Sequence, residues 1–113
     1  MAAGEGGVSR SAFLVLLALA DQARHGLGII EDIEAGTEGR VRMGPGTLYG
    51  TLQKLSEHGW IRETQEAPDP SDDDPRRRYY RLTSKGERAL RAEAERMSSL
   101  VNAAVTKRVL EGA

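Results

Sequence analysis

The stretch from Gln65 to Pro75 constrains the fold more than any other feature of the chain. It carries three prolines and four aspartates and no residue suited to a core, a composition that cannot sustain a central strand or a helix. Before it, Trp60-Ile61-Arg62-Glu63-Thr64 alternates like a strand; after it, Arg76 to Leu82 supplies an antiparallel partner with Tyr79 and Tyr80 on opposite faces. Gln65 to Pro75 is therefore expected to be a hairpin tip. The chain on either side of the hairpin reads as helix, in short pieces before it and in one long piece after it.

In the first part, Ser9 or Ser11 can cap a helix in which Phe13, Leu14, Leu16, Leu17 and Ala20 recur at helical spacing. Arg24-His25-Gly26 breaks that pattern. Leu27, Ile29, Ile30 and Ile33 then form a second stripe that ends near Gly36 or Gly39. A short extended piece, Arg40 to Met43, leads into Gly44-Pro45-Gly46, which opens a third helix with Leu48, Leu52 and Leu55 on one face and a stop at His58-Gly59. Beyond the hairpin, Thr83 or Ser84 can cap the last helix, Ser84 with Glu87 fitting a capping box. Leu90, Met97 and Ala104 recur there every seven residues, joined by Ala94, Leu100, Val101, Val105 and Val109. A continuous helix from Lys85 to Leu110 would be about 39 Å long, too long for the small body before it to cover.

Helix, helix, helix, hairpin, long helix is the winged helix-turn-helix order, so the expected fold is mainly α (α+β). Residues 1–8 read as a flexible tail, 9–83 as the winged domain and 84–113 as one long C-terminal dimerisation helix. Leu, Ile, Val and Phe number 23 of 113 residues, near the ~20 % line below which a chain struggles to build a core alone. A homodimer resolves the shortage. The best apolar run, Ala12 to Ala20, is about half the ~20 residues needed to cross a bilayer, and the N-terminus lacks a signal-peptide pattern. With no cysteine present, a cytoplasmic protein without a membrane association is expected. The absence of a phosphate-binding glycine loop, an HExxH pair and a cysteine nucleophile argues against an enzyme. Two histidines make a poor metal set, and neither metal nor cofactor is expected.

Sixteen basic residues stand against seventeen acidic, which excludes a domain that is basic throughout. Divided by segment, residues 1–39 hold two basic and six acidic residues, 40–81 eight and seven, and 82–113 six and four. The positive charge is local, around the turn before the third helix and the hairpin stem.

Three blocks resemble the PadR family of transcriptional regulators: His25-Gly26-Leu27-Gly28-Ile29-Ile30; Gly44-Pro45-Gly46-Thr47-Leu48-Tyr49 with Leu52, Leu55, Gly59 and Ile61; and Arg77-Arg78-Tyr79-Tyr80-Arg81-Leu82-Thr83 with Gly86. They occur in family order across residues 11–90. The resemblance implies a dimeric repressor that binds a palindromic double-stranded DNA operator and dimerises through its C-terminal helix. Many relatives answer a small aromatic or lipophilic effector, which is not inherited with the fold.

Candidate DNA contacts follow from placement on the third helix and hairpin. Thr47 or Thr51 can donate to phosphate or touch a thymine methyl, and Tyr49, the position carried by the family pattern, can hydrogen-bond to backbone or base edge. The competing reading of Tyr49 is a half-buried core residue. Gln53 can pair with adenine and Lys54 can meet phosphate or base, whereas Glu57 would repel the duplex. Arg40 and Arg42 precede the helix and, with Lys54 and Arg78, are expected to form one positive rim. Of Arg76, Arg77 and Arg78, one or two are expected on DNA, the alternative being a solvated edge paired with Asp72 to Asp74. His25 reads as a structural junction. Trp60 reads as core, with effector stacking as the alternative. Leu90, Ala94, Met97, Leu100, Val101, Ala104 and Val105 are the candidate dimerisation residues. The competing function is a non-catalytic protein-interaction module using the same fold and long helix.

Overall fold

The computed structural model describes residues 8–65, 68 and 76–111. The elements run α1 (Arg10–Ala18), β1 (Arg24–His25), α2 (Gly26–Gly36), α3 (Pro45–Glu57), β2 (Ile61–Thr64), β3 (Tyr79–Leu82) and α4 (Ser84–Thr106). This is a winged helix followed by a long helix. The hairpin tip lies outside the described residues apart from Gln65 and Pro68, as do the tail residues 1–7 and Asp72 to Asp74.

Each helix start has an identifiable cause. Ser9 rather than Ser11 caps α1, its hydroxyl accepting from the Ala12 N–H at 3.1 Å. His25 caps α2 through Nδ1, which accepts from the Gly28 N–H at 3.1 Å, and this gives the histidine its structural role. Gly44 precedes α3, with Pro45 at the first position where a missing N–H costs nothing. Gly59 ends that segment at φ 76°, a left-handed conformation that lets the Trp60 N–H return to the Leu55 carbonyl at 3.0 Å.

The long helix begins differently from the expected capping box. Thr83 is the cap, its hydroxyl accepting from the Gly86 N–H at 3.0 Å and donating to the Gly59 carbonyl at 2.6 Å. Strand β3 delivers Thr83 beside the end of α3, so its hydroxyl serves both neighbours and Ser84 is left exposed inside the helix.

Val15, Leu16 and Leu19, Ile29 and Ile33, and Leu48, Leu52 and Leu55 form the centre of the core, joined by Met43, Ile61 and Leu90. Val15, Leu16, Ile29, Leu48 and Leu55 are the largest fully enclosed side chains and come from all three short helices. Burial of each contributes about 1.5–3 kcal/mol, which fixes α3 against α1 and α2.

The sheet has three strands in the order β1-β3-β2, all antiparallel. The third strand was not legible: β1 pairs Arg24 with Tyr80 and His25 with Tyr79, and two residues are too short to display a period. The His25 ring meets Tyr79 edge-on at 5.3 Å, so the residue that caps α2 also fastens the wing to it. The hairpin strands are shorter than expected, starting at Ile61 and Tyr79.

Helix α4 ends at Thr106 rather than running to Leu110. Arg108 turns left-handed at φ 64°, and the Val109 and Leu110 N–H groups return to the Ala104 carbonyl at 2.8 and 3.3 Å. Its inward line is Gly86, Leu90 and Glu93. The buried Glu93 carboxylate is closed by Arg96 at 2.6 Å, which gives a charge on the core-facing stripe its partner. Among the described residues no helix is long and apolar enough to cross a membrane.

Candidate nucleic-acid interface

Helix α3 buries Leu48, Leu52 and Leu55, and a 100° step per residue puts Gly46, Gly50, Gln53 and Glu57 on the opposite side. A Cβ built at Gly46 or Gly50 meets nothing within 4 Å. Neither glycine is required by packing or by a left-handed φ, and Gly50, in the helix interior, weakens the fold by about 1 kcal/mol relative to alanine. What they provide is a bare strip of helix that another backbone can approach closely.

Tyr49 and Thr47 lie two residues apart, hence on opposite flanks of that strip. On the Tyr49 flank a cavity of about 380 Å³ is lined by Tyr49, Tyr80, Gly26 and the run Arg76, Arg77 and Arg78. The phenol of Tyr49 passes over Gly26, where an added Cβ would stand 2.6 Å from its hydroxyl oxygen. At 55 % exposure Tyr49 belongs to the surface, which removes the core reading. Arg78 lies 3.6 Å from the Glu63 carboxylate. Burial raises the pKa of the Tyr80 phenol, Glu63 adds to the rise, Arg78 opposes it, and Tyr49 contributes in the upward direction.

On the Thr47 flank a groove of about 420 Å³ brings Arg40, Arg42 and Thr47 together with Arg10. Beside it, a cleft of about 610 Å³ between α1 and α3 is lined by Thr47, Thr51, Lys54, His58 and Trp60. Trp60 is half-buried against the core and stacks on His58 at 4.9 Å with 25° between the rings. The Thr51 hydroxyl donates to the Thr47 carbonyl at 2.7 Å, and the exposed Gln53 amide reaches Glu57 at 3.4 Å. Both polar groups are thus partly engaged within α3. No acidic residue lines any of these three hollows among the described residues.

The single positive rim expected from Arg40, Arg42, Lys54 and Arg78 is divided. Arg78 shares a cavity with Tyr49, while Arg40 and Arg42 share one with Thr47, and α3 runs between. Gly50 joins Gly46 on the bare strip without having been expected there; its signal was the four-residue spacing from Gly46, opposite the leucine stripe. Along α4, Leu90 is committed to the core of its own domain, and Met97, Ala104 and Val105 are half-buried. Ala94, Leu100 and Val101 are exposed, as are Val109 and Leu110 past the helix end.

A family model described as the transcriptional regulator PadR-like family matches residues 15–92, the span that holds all three hollows' α2, α3 and wing residues. The chain belongs to the PadR-like family. That family is one of transcriptional regulators. An uncharacterised 37.1 kDa protein of transposon TN4556 from Streptomyces fradiae is 39 % identical over 87 residues, covering 77 % of this chain and 23 % of the other. The chain thus spans about a quarter of the length of that curated relative. A PadR-like transcription factor from Bacteroides fragilis is 28 % identical with a TM-score of 0.63, covering 85 % of this chain and 86 % of that one. A transcriptional regulator from Clostridium thermocellum shares the fold at a TM-score of 0.70 and 23 % identity, over 88 % of this chain and 90 % of that one.

Proposed function

We propose that this PadR-like chain is a homodimeric repressor that inserts α3 into the major groove of a palindromic operator. The observation that carries this reading is the bare Gly46/Gly50 strip with an arginine-lined hollow on either side of it. A duplex needs close approach at the centre and cations at the flanks, and α3 offers both. Residues 9–83 form the reading unit and 84–113 the dimerisation unit. Leu100 and Val101, both half or more exposed, supply apolar surface on α4 that a second copy covers, and two recognition helices about 34 Å apart match successive half-sites. The protein has no catalytic role in this reading.

Tyr49 is the leading contact, with Thr47, Lys54, Arg40, Arg42 and the Arg76 to Arg78 run on phosphate or base edges. Thr51 and Gln53 contribute less, because their donors are engaged within α3. A small aromatic or lipophilic effector fits the 610 Å³ cleft beside Trp60 and His58. Thr47, Thr51 and Lys54 line the same cleft, so such a ligand competes with the duplex directly.

The test compares wild type with Tyr49→Phe and Arg78→Ala on a duplex from the region upstream of the gene, with oligomeric state measured alongside. Both variants are expected to bind the duplex more weakly with the dimer unchanged. Normal binding by both would place the recognition surface elsewhere. Weak binding to every duplex, with capture of a protein partner, would favour the interaction-module reading.

A further inference from the structure

Arg10, at the start of α1, shares the Thr47-flank groove with Arg40 and Arg42 from the segment before α3. Among the described residues none of these three has a carboxylate within ion-pair distance, whereas Arg24 is held by Asp32 at 3.2 Å, Arg78 by Glu63 at 3.6 Å and Arg96 by Glu93 at 2.6 Å. Residues 1–39 hold only two bases against six acids, and Arg10 is one of the two. The fold nonetheless brings it to the two arginines of the 40–43 segment in a groove whose lining, among the described residues, holds no acid. Three like charges gathered in one groove oppose folding and favour an incoming anion.

The position of the groove identifies that anion. Thr47 lines it and also belongs to α3, so whatever fills the groove lies beside whatever α3 contacts. The cavity on the other flank carries Arg76, Arg77 and Arg78. A helix seated in a major groove has one phosphate strand on each side of it. Arginine suits phosphate through its planar fork of donors.

We infer that Arg10, with Arg40 and Arg42, forms a second phosphodiester-contact site that grips the DNA strand across the groove from the strand met by Arg76 to Arg78. The inference rests on the proposed seating of α3 in a duplex. Phosphate contacts position a protein without reading sequence, so Arg10 strengthens binding to operator and to unrelated duplex alike. It also gives α1 a direct part in the interface, although the core packing of α1 alone would make it only a support for α3.

Wild type, Arg10→Ala, Arg10→Lys and Arg78→Ala are titrated against a labelled upstream duplex and an unrelated duplex, by fluorescence anisotropy at several salt concentrations. Arg10 is exposed in the first turn of α1, and unchanged circular dichroism and melting show that its variants remain folded. Arg10→Ala is expected to weaken binding to both duplexes by the same factor and to flatten the slope of log K against log salt by about 0.9 for each protomer engaged. Arg10→Lys retains most of that slope, because it keeps the charge. An unchanged slope in Arg10→Ala, or a loss confined to the upstream duplex, would overturn the inference. If Arg78→Ala weakens binding while Arg10→Ala does not, this second site is refuted and the proposed function stands. If wild type itself shows no salt-dependent duplex binding, both fall.

Discussion

Replacing Gly86 with alanine tests how the long helix is joined to the winged-helix domain. For an isolated helix the change is favourable by about 1 kcal/mol. In the folded chain the added Cβ collides with the Trp60 carbonyl oxygen and lies 2.8 Å from the Trp60 carbonyl carbon and 3.1 Å from its Cα. All of these are backbone atoms, so no rotamer change relieves the overlap. Ordinary carbon–carbon contact at 3.5–4.0 Å requires the start of α4 to move off by about 1 Å. That movement strains the Thr83 N–H bond to the Trp60 carbonyl (3.1 Å) and the Thr83 hydroxyl bond to the Gly59 carbonyl (2.6 Å), each worth about 1 kcal/mol. Overpacking of this kind costs about 1–3 kcal/mol by itself. A net destabilisation of about 2–4 kcal/mol is expected after the gain in helix propensity. Urea unfolding followed by Trp60 fluorescence, at fixed protein concentration, measures it at the point of collision. A variant as stable as wild type, or more stable, would refute the crossing geometry.

Gly50→Ala should have the opposite effect on stability: its Cβ enters open space, so the fold gains up to about 1 kcal/mol, while duplex binding falls by on the order of tenfold, about 1.4 kcal/mol. Paired denaturation and binding measurements check both signs, and unaltered binding would contradict close approach at the glycine strip. Truncation after Arg96 removes Leu100, Val101, Ala104 and Val105 and is expected to yield monomers by analytical ultracentrifugation; a stable dimer would contradict the role given to α4. Tyr80 has a raised pKa in the folded state, with burial the main cause. The corresponding stability is present below the unfolded tyrosine pKa of about 10 and is lost as pH rises through the higher folded value. Ultraviolet titration against Tyr80→Phe checks this, and Arg78→Ala should move the folded value further upward, because Arg78 acts to lower it.

The elements with a long enough period were legible in the sequence. Leu48, Leu52 and Leu55 defined the inner face of α3, and the Gln65 to Pro75 stretch separated the two hairpin strands. Strand β1 was invisible because Arg24 and His25 acquire their pairing from Tyr80 and Tyr79, some 55 residues away, and a two-residue segment has no pattern of its own. The cap of α4 stayed open between Thr83 and Ser84 for a similar reason. Local spacing favours Ser84 with Glu87, whereas the tertiary contact with Gly59 selects Thr83. Glu93 sits on an inward line that composition would fill with an apolar residue, and only the Arg96 partner three residues on explains it.

Candidate site residues were legible by type but not by grouping. Arginines at 40, 42 and 76–78 are conspicuous in a nearly neutral chain, yet their division between the two flanks of α3 depends on how α1, α2 and the wing pack around that helix. Arg10 carries no local signal of contact, and Gly50 carries only its four-residue spacing from Gly46. Arg10 is one of two bases in an acidic segment, and Gly50 differs from an ordinary helical glycine only because nothing packs over it.

The central claim, that α3 and its two arginine-lined flanks form a duplex-binding surface, is tested most directly by the salt dependence of binding to the upstream duplex and to an unrelated one. Log K should fall linearly and steeply with log salt for both, with a slope near 0.9 for each phosphate contact, and the upstream duplex should retain tighter binding, by 10³-fold or more. Equal, weak affinity for both duplexes at moderate salt would contradict it.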